Sequence, residues 1–289
     1  MFSITDWLNS PDRWWNRKKP APQPPPDPDP VLPAKVISIQ WGKDQQQTVT
    51  LYMPARRASE RVALVLMFHG GGWWQGDPDA PNVVDAKKAL FNPEGIAFAT
   101  GGYRLGTKST PKIDPYMEAQ DVAALCAYLH QNGKDLGLDM SRFVVLAHSA
   151  GAHLAGLGFT ALGVEANGFG GLDSAVYNVP KGMKGPHPAD PFDIAFGSDP
   201  VFWAKCDPYG NMKSAPPPML LACSTDRREN KPQADEFARK AIGLGGQAEV
   251  IEVDLEHGEM NSMLGRTDTP IAADYTAKVM AFVRKCIGS

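Results

Sequence analysis

The sequence predicts an α/β fold in which a mostly parallel sheet carries helices on both faces. From residue 62 onward, short apolar runs alternate with longer segments whose apolar residues recur at helical spacing. The strand candidates are apolar throughout, which is typical of strands buried on both faces; they are residues 62–68, 95–100, 143–147 and 219–223. Because strands joined by helices run parallel within one sheet, this alternation predicts a series of βαβ units.

Composition narrows the class of protein. The chain has 289 residues, of which 43% are hydrophobic and 21% charged, an ordinary globular balance. The net charge of −3 gives no reason to expect a nucleic-acid partner, and no apolar run approaches the roughly 18 residues of a membrane helix. The four cysteines lack the short spacing of a metal site, and we expect reduced core thiols, with a disulfide at Cys206 left open.

Residues 1–34 form a predicted leader that differs in composition from the rest. It contains tryptophans, then basic residues, then a Pro/Asp-rich run over residues 20–33 that favours an extended, polyproline-like chain. The leader has no apolar core of a secretory signal, so a cytoplasmic location is predicted. A disordered leader is the favoured interpretation, and docking of its tryptophans on the globular body is the alternative.

Residues 35–289 form the predicted globular domain. It starts with a hairpin of residues 36–41 and 48–53 at a sheet edge. The predicted helices span residues 117–129, 232–244 and 271–287, and a further strand spans residues 249–253. Residues 163–218 are rich in glycine, proline and aspartate, which predicts one short strand near Leu172 and an irregular insertion of loops and short helices.

Ser149 lies where an apolar strand turns directly into a helix. The segment reads Ala147-His-Ser149-Ala-Gly151, and an Ala/Leu-rich helical segment follows. This is the strand–turn–helix context of a nucleophile elbow, in which small flanking residues let the strand and helix approach each other. The alternative is that Ser149 only caps the helix.

The apolar strand 62–68 ends in His69-Gly70-Gly71-Gly72-Trp73-Trp74. Glycines without a Cβ let main-chain N–H groups approach a ligand oxygen closely. Gly71 and Gly72, together with Ala150, are therefore candidate donors to an oxyanion. A flexible turn is the alternative, whereas a phosphate loop is disfavoured because no G-K-[ST] follows.

A serine nucleophile needs a base and a group that orients the base. His257 directly follows the predicted strand 249–253, and Asp226 follows the strand before it. The carboxyl ends of parallel strands meet at one edge of the sheet, so these two side chains are expected to lie near Ser149. Taken singly, Asp226 also suits a turn or helix cap, and His257 a surface loop.

These motifs resemble those of the α/β-hydrolase fold, and within it the esterase and lipase branch with an HGGG-type oxyanion motif. This branch contains the hormone-sensitive-lipase-like and kynurenine-formamidase-like groups. The resemblance covers roughly residues 35–289. It rests on the segments His69–Trp73, Gly102–Leu105 and Ala147–Gly151, with Asp226 and His257. The departures are Ala147 in place of the usual glycine and the absence of a recognisable two-helix N-terminal cap.

The resemblance implies an eight-stranded sheet in which only the second strand is antiparallel. It also implies a catalytic triad of Ser149 as nucleophile, His257 as base and Asp226 as orienting acid. Gly71, Gly72 and Ala150 would hold the oxyanion, and His69 and Tyr103 would support the oxyanion loop.

The predicted function is hydrolysis of carboxylic esters with small to medium acyl groups, without a metal or organic cofactor and with a small-molecule ester as partner. The same triad serves amide hydrolysis, as in an arylformamidase, and a non-catalytic ligand-binding relative is a weaker alternative. We expect the insertion 163–218 to form a lid. The predicted substrate-pocket residues are Trp73, Trp74, Phe196 and Trp203, for which ordinary core packing is the alternative.

Overall fold

The computed structural model describes residues 29–106, 113–185, 189–227 and 229–288. Residues 1–28 of the predicted leader therefore lie outside the described residues, and the extended conformation of the leader stays a prediction. The described residues from 31 onward form one compact unit.

The strands occur in the following order along the chain: β1 Val31–Leu32, β2 Lys35–Gln40, β3 Thr48–Met53, β4 Arg56–Arg57, β5 Val62–Phe68, β6 Ala97–Gly101, β7 Leu138–His148, β8 Gly168–Leu172, β9 Met219–Ser224 and β10 Ala248–Val253. The helices are α1 Pro81–Phe91, α2 Pro115–Leu136, α3 Ala150–Ala161, α4 Val179–Lys184, α5 Ala189–Phe196, α6 Pro200–Lys205, α7 Pro208–Asn211, α8 Asn230–Gly243, α9 Glu259–Ser262 and α10 Pro270–Ile287. A short 3₁₀ turn, Asn92–Glu94, follows α1.

Eight strands form one sheet in the order β10-β9-β8-β7-β5-β6-β3-β2. Strand β3 runs antiparallel to both of its neighbours, β2 and β6, while the remaining pairs are parallel. This arrangement confirms the predicted sheet and its single reversed strand. Strands β1 and β4 form a separate antiparallel pair.

Side chains of β5 alternate between two apolar cores, one on each face of the sheet. Leu64, Leu66 and Phe68 pack in the core that includes residues of α2, α3 and α8. Val65 and Met67 pack in the core that includes residues of α1 and α10. A strand covered by helices on both faces has no solvated side, which is why its sequence is continuously apolar.

Helix α2 is longer than the sequence predicts. It starts at Pro115, where the Asp114 side chain accepts a hydrogen bond from the Met117 N–H at 2.9 Å. It continues through Gly133 to Leu136, beyond the predicted end at residue 129. A Cβ at Gly133 would lie 2.6 Å from Cγ of Met140, so this glycine permits close packing of α2 on β7.

In its described residues, the insertion 163–218 contains β8 and the four short helices α4 to α7. All four cysteines are free thiols, as expected. In the part of the chain that the structure describes, no helix has the length and apolar character needed to cross a membrane.

Candidate active site

Ser149 occupies a strained corner between β7 and α3. Its φ and ψ angles are 55° and −122°, a conformation that is costly for a residue with a Cβ and that recurs at functional sites. The turn is tight because Gly151 touches the neighbouring loop: a Cβ there would lie 2.3 Å from the His69 carbonyl oxygen. The Ser149 hydroxyl makes no capping hydrogen bond to α3, so the side chain is not used as a helix cap.

His257 lies beside this hydroxyl, in the loop that follows β10. Its Nε2 is 2.9 Å from Oγ of Ser149, and its Nδ1 is 2.5 Å from Oδ2 of Asp173. A carboxylate accepts, so Nδ1 carries the proton and donates it to Asp173. Nε2 is then the free acceptor for the Ser149 hydroxyl proton.

The carboxylate that contacts His257 is Asp173, and the prediction of Asp226 at this position is wrong. Asp173 directly follows β8, has a positive φ of 47° and is fully buried. Asp226 is exposed in the turn after β9, where it lines a surface depression with Thr225 and Asp254. The reason is the path of the chain: two residues beyond β9, the turn has already carried Asp226 out to solvent.

Asp173 is held ionised by its neighbours. Burial on its own raises the pKa of this carboxyl, but hydrogen bonds from His257, Asn230 and the Ser224 main chain, with the charge of Arg227, bring the pKa below its usual value. Oδ1 accepts from Nδ2 of Asn230 at 2.8 Å and from the Ser224 N–H at 3.1 Å, which leaves Oδ2 for His257. The sequence signal for Asp173 was an aspartate at the end of the strand that follows the elbow helix.

Arg227 adds a cation to this end of the site. Its Nη1 is 3.0 Å from Nδ1 of His257 and 3.7 Å from Oδ2 of Asp173. Because Nδ1 already donates its proton to Asp173, two donors face each other and the short distance is not a hydrogen bond. The guanidinium instead acts as an ion-pair partner of the buried Asp173 carboxylate.

The glycine loop after β5 borders the same space. Gly71 has a φ of 134°, and a Cβ there would lie 1.8 Å from the Gln75 carbonyl oxygen, so only glycine fits. The N–H groups of Gly71 and Gly72 donate to no main-chain carbonyl in the described turns, loops and helix caps. Ala150 is buried directly after Ser149, at the start of α3. The predicted oxyanion donors thus lie on the segments that border the nucleophile.

His69 and Tyr103 brace the base of this loop. Their rings stack with centroids 4.5 Å apart, and the Tyr103 hydroxyl donates to the His69 carbonyl oxygen at 2.8 Å. Nδ1 of His69 lies 2.7 Å from the Gly70 carbonyl oxygen, to which it donates. Burial lowers the pKa of His69, which keeps the ring neutral.

Two more histidines, His148 and His153, make hydrogen bonds that hold segments around the site. Burial, above all, lowers the pKa of His148 to about 3, and its Nε2 donates to the His257 carbonyl oxygen at 2.9 Å. Burial lowers the pKa of His153 to about 4; its Nδ1 accepts from Nε1 of Trp73 at 3.1 Å. As neutral imidazoles, His148 holds the loop that carries His257, and His153 holds Trp73 at the end of the glycine loop.

A cavity of about 660 Å³ opens beside Ser149 and His257. Its lining includes Trp73 and Trp74, as predicted, and Pro191 and Phe192 of the insertion. Other lining residues include His69, Gly70, Gly71, Gly72, Asn82, His148, Arg227 and Asn261.

Phe196 and Trp203, which were predicted to line the substrate pocket, do not line this cavity. Phe196 is buried against Trp73, with ring centroids 4.9 Å apart. Nε1 of Trp203 donates to the main-chain carbonyls of Phe196 and Gly197 at 3.1 and 3.0 Å. Phe196 packs against Trp73, which lines the cavity, and Trp203 holds the main chain at Phe196. This corrects the prediction that Phe196 and Trp203 line the substrate pocket.

Comparison with known proteins agrees with this architecture. A family model described as BD-FAE, an α/β-hydrolase-type family, matches residues 49–181. No curated protein sequence matches the chain.

Solved structures of bacterial esterases match over most of the chain. The structure of Thermogutta terrifontis esterase 2 phosphonylated by sarin has 20% sequence identity and a TM-score of 0.67, covering 87% of this chain and 94% of that one. The butyrate-bound form of the T. terrifontis esterase Est2 has 21% identity and a TM-score of 0.65, with coverage of 87% and 94%. Esterase B from Lactobacillus rhamnosis has 19% identity and a TM-score of 0.69, with coverage of 88% and 86%. The chain therefore has the α/β-hydrolase fold, and its residues 49–181 match the BD-FAE family model.

Proposed function

We propose that this chain is a serine hydrolase that cleaves carboxylic esters of small to medium acyl groups. The observation that carries the proposal is the continuous chain of contacts from Ser149 through His257 to Asp173 at the wall of a large cavity. A buried, ionised carboxylate, an oriented imidazole and a hydroxyl on a strained corner are the three parts of an activated serine nucleophile.

The proposed reaction has two steps. Nε2 of His257 takes the hydroxyl proton as Oγ of Ser149 attacks the ester carbonyl carbon, and Asp173 stabilises the imidazolium that forms. The N–H groups of Gly71, Gly72 and Ala150 stabilise the negative charge on the carbonyl oxygen. His257 then gives the proton to the leaving alcohol, and water cleaves the acyl-enzyme by the same route.

Two observations support the proposed preference for small to medium acyl groups. The Est2 structures of T. terrifontis include butyrate-bound and propionate-bound forms, which hold short carboxylates. In this chain, Trp74 and Phe192 form aromatic walls of the cavity beside the nucleophile. We propose that this part of the insertion, residues 189–196, limits the size of the acyl or alcohol group and so serves as the predicted lid.

The decisive test is Ser149→Ala on a series of p-nitrophenyl esters of increasing acyl length. We expect hydrolysis to fall by about four to six powers of ten with an unchanged fold, because the loss of a nucleophile removes the covalent route. A fluorophosphonate should label the wild type at Ser149 and leave the variant unlabelled.

An anilide and a formyl amide run beside the esters separate ester from amide hydrolysis. We expect the esters to be cleaved with the higher kcat/KM, and the opposite order would favour an amidase. Ester hydrolysis by Ser149→Ala within tenfold of the wild type would rule out this serine as nucleophile.

A further inference from the structure

Asn261 is a cavity-lining residue with a buried carboxamide, and the proposed reaction does not use this carboxamide. It lies in α9, four residues after His257, and lines the cavity beside Ser149. Only 4% of the residue is exposed, and its side-chain oxygen Oδ1 has no hydrogen-bond partner in the described part of the chain. A buried carbonyl oxygen without a partner is costly, and such groups are rare in folded proteins.

The fold of this segment does not depend on the Asn261 side chain. Lys87, a fully buried residue of α1, donates from Nζ to the main-chain oxygen of Asn261 at 2.6 Å and to that of Asn82 at 3.1 Å. The Tyr275 hydroxyl donates to the Met260 carbonyl oxygen at 2.9 Å. These bonds fix the backbone, so the carboxamide of Asn261 is positioned without being consumed by internal hydrogen bonds.

We infer that the Asn261 carboxamide binds a hydroxyl group on the alcohol half of the substrate. The inference rests on the proposed ester hydrolysis. We assign the hydroxyl to the alcohol half because Asn261 and His257 belong to the same segment of the chain, and His257 protonates the leaving alcohol oxygen. The carbonyl oxygen of the ester, in contrast, faces the glycine loop in the proposed reaction. A hydroxyl group both donates and accepts a hydrogen bond. It can therefore pair with the Asn261 carboxamide whichever way the amide oxygen and nitrogen are oriented.

The test compares two esters of nearly equal size, 2-hydroxyethyl butyrate and propyl butyrate. We expect the wild type to favour the hydroxyl ester about tenfold in kcat/KM, the size of one good hydrogen bond. Asn261→Leu, similar in shape but apolar, should reduce this ratio to about one. The melting temperature should not fall, because the change removes an unpaired polar atom; Asn261→Ala serves as a second variant.

Asn82→Ala is the matched control. Its side chain also lines the cavity but is exposed, so water satisfies it, and the variant should keep the wild-type ratio.

A second pair of esters, propyl 3-hydroxybutyrate and propyl 3-methylbutanoate, places the hydroxyl on the acyl half. In that pair, we expect Asn261→Leu to leave the ratio unchanged.

The outcomes separate the two levels of the proposal. If propyl butyrate is hydrolysed but the wild-type ratio is near one, or Asn261→Leu retains the preference, the inference is wrong while the proposed function stands. If Asn261→Leu changes the kcat/KM ratio only in the pair with the hydroxyl on the acyl half, the assignment to the alcohol half is wrong. If neither ester is hydrolysed, the proposed function fails and the inference fails with it.

Discussion

The turns after β8 and β9 each carry an aspartate at the same edge of the sheet, yet the two carboxylates have opposite surroundings. Asp173 is fully buried and accepts hydrogen bonds from His257, Asn230 and the Ser224 main chain. Asp226 is exposed, and its main-chain N–H donates to Oγ of Ser224 at 3.1 Å. The β9 turn therefore supports Asp173, which follows the neighbouring strand, and its own Asp226 is not the carboxylate that contacts His257.

This difference shows what makes an aspartate suitable to orient a catalytic base. Position after a strand brings both residues to the correct edge. Among the residues that the structure describes, donors fix the oxygens of Asp173 and keep it ionised within the protein interior, and none is seen on the side-chain oxygens of Asp226. Arg227 and Asn230 both follow Asp226 in sequence, and both act on Asp173. The β9–α8 segment thus contributes to the site through groups that surround the acid.

Exchanging the carboxylates for amides is the strongest test of this comparison. We expect Asp173→Asn to lower kcat by about four powers of ten, because an asparagine in place of the acid stabilises the wrong tautomer of the base. Asp226→Asn should stay within about twofold of the wild type. Steady-state kinetics on one ester, with circular dichroism to check folding, gives both values. The assignment is reversed if the larger loss appears in Asp226→Asn.

The parts of the site that could be predicted are those with a strong local sequence pattern. The apolar strands β5, β7 and β9 lead directly into the glycine loop, Ser149 and the β9 turn. His257 lies in the short loop after β10, four residues beyond the end of the strand. For these elements, the order of strand and turn is already visible in the chain, and the fold only has to bring the turns together.

Asp173 was not identified in the same way, because the short strand predicted near Leu172 has only a weak sequence pattern. Strand β8 reads Gly-Phe-Gly-Gly-Leu, and three glycines in five residues weaken any strand pattern. The glycines are explained by packing: a Cβ at Gly170 would lie 2.4 Å from Cδ2 of Leu146, and one at Gly171 would lie 2.1 Å from the Tyr177 hydroxyl oxygen. These are tertiary contacts, so they leave no signal in the strand itself.

The substrate wall was only partly predicted for a related reason. Trp73 and Trp74 follow β5 directly and lie where the sequence places them. Phe196 and Trp203 belong to an insertion of short helices, and the packing of those helices decides which aromatic side chains reach the cavity. Phe192 reaches it, whereas Phe196 is covered by Trp73.

The second test concerns the support for Asp173. Asn230→Ala removes the 2.8 Å hydrogen bond to Oδ1 and leaves one fewer donor on a buried carboxylate. We expect kcat to fall about ten- to a hundredfold with KM nearly unchanged, since Asn230 acts through Asp173 and is a positioning residue. The free energy of unfolding should fall by about 1–3 kcal/mol.

A merely structural role for Asn230 predicts a different result. In that case stability falls while kcat at a temperature well below the unfolding transition stays at the wild-type value. Glu229→Gln is a suitable control, because Glu229 precedes Asn230, is exposed and contacts Arg227 at 3.6 Å without touching Asp173.

The smallest expected effect is the pH dependence of stability that follows from the lowered pKa of Asp173. In the unfolded chain this carboxyl titrates near its ordinary value of about 3.9, whereas in the folded protein its pKa is lower. The ionised form is therefore favoured by folding. Its contribution is fully present above about pH 4 and is lost as the pH falls through the folded-state pKa.

Urea unfolding of the wild type, Asp173→Asn and Asp226→Asn between pH 3 and 7 measures this contribution. The difference in unfolding free energy between wild type and Asp173→Asn should be constant from pH 5 to 7. Below pH 4 it should shrink by at most about 1.4 kcal/mol per pH unit, because only the wild type still has this group to titrate. Asp226→Asn, which changes the exposed carboxylate of the neighbouring turn, is measured beside it as the comparison. A flat profile for Asp173→Asn would mean that the hydrogen bonds of Asp173 do no more than offset the cost of its burial. The contrast between the two turns would then be one of geometry alone.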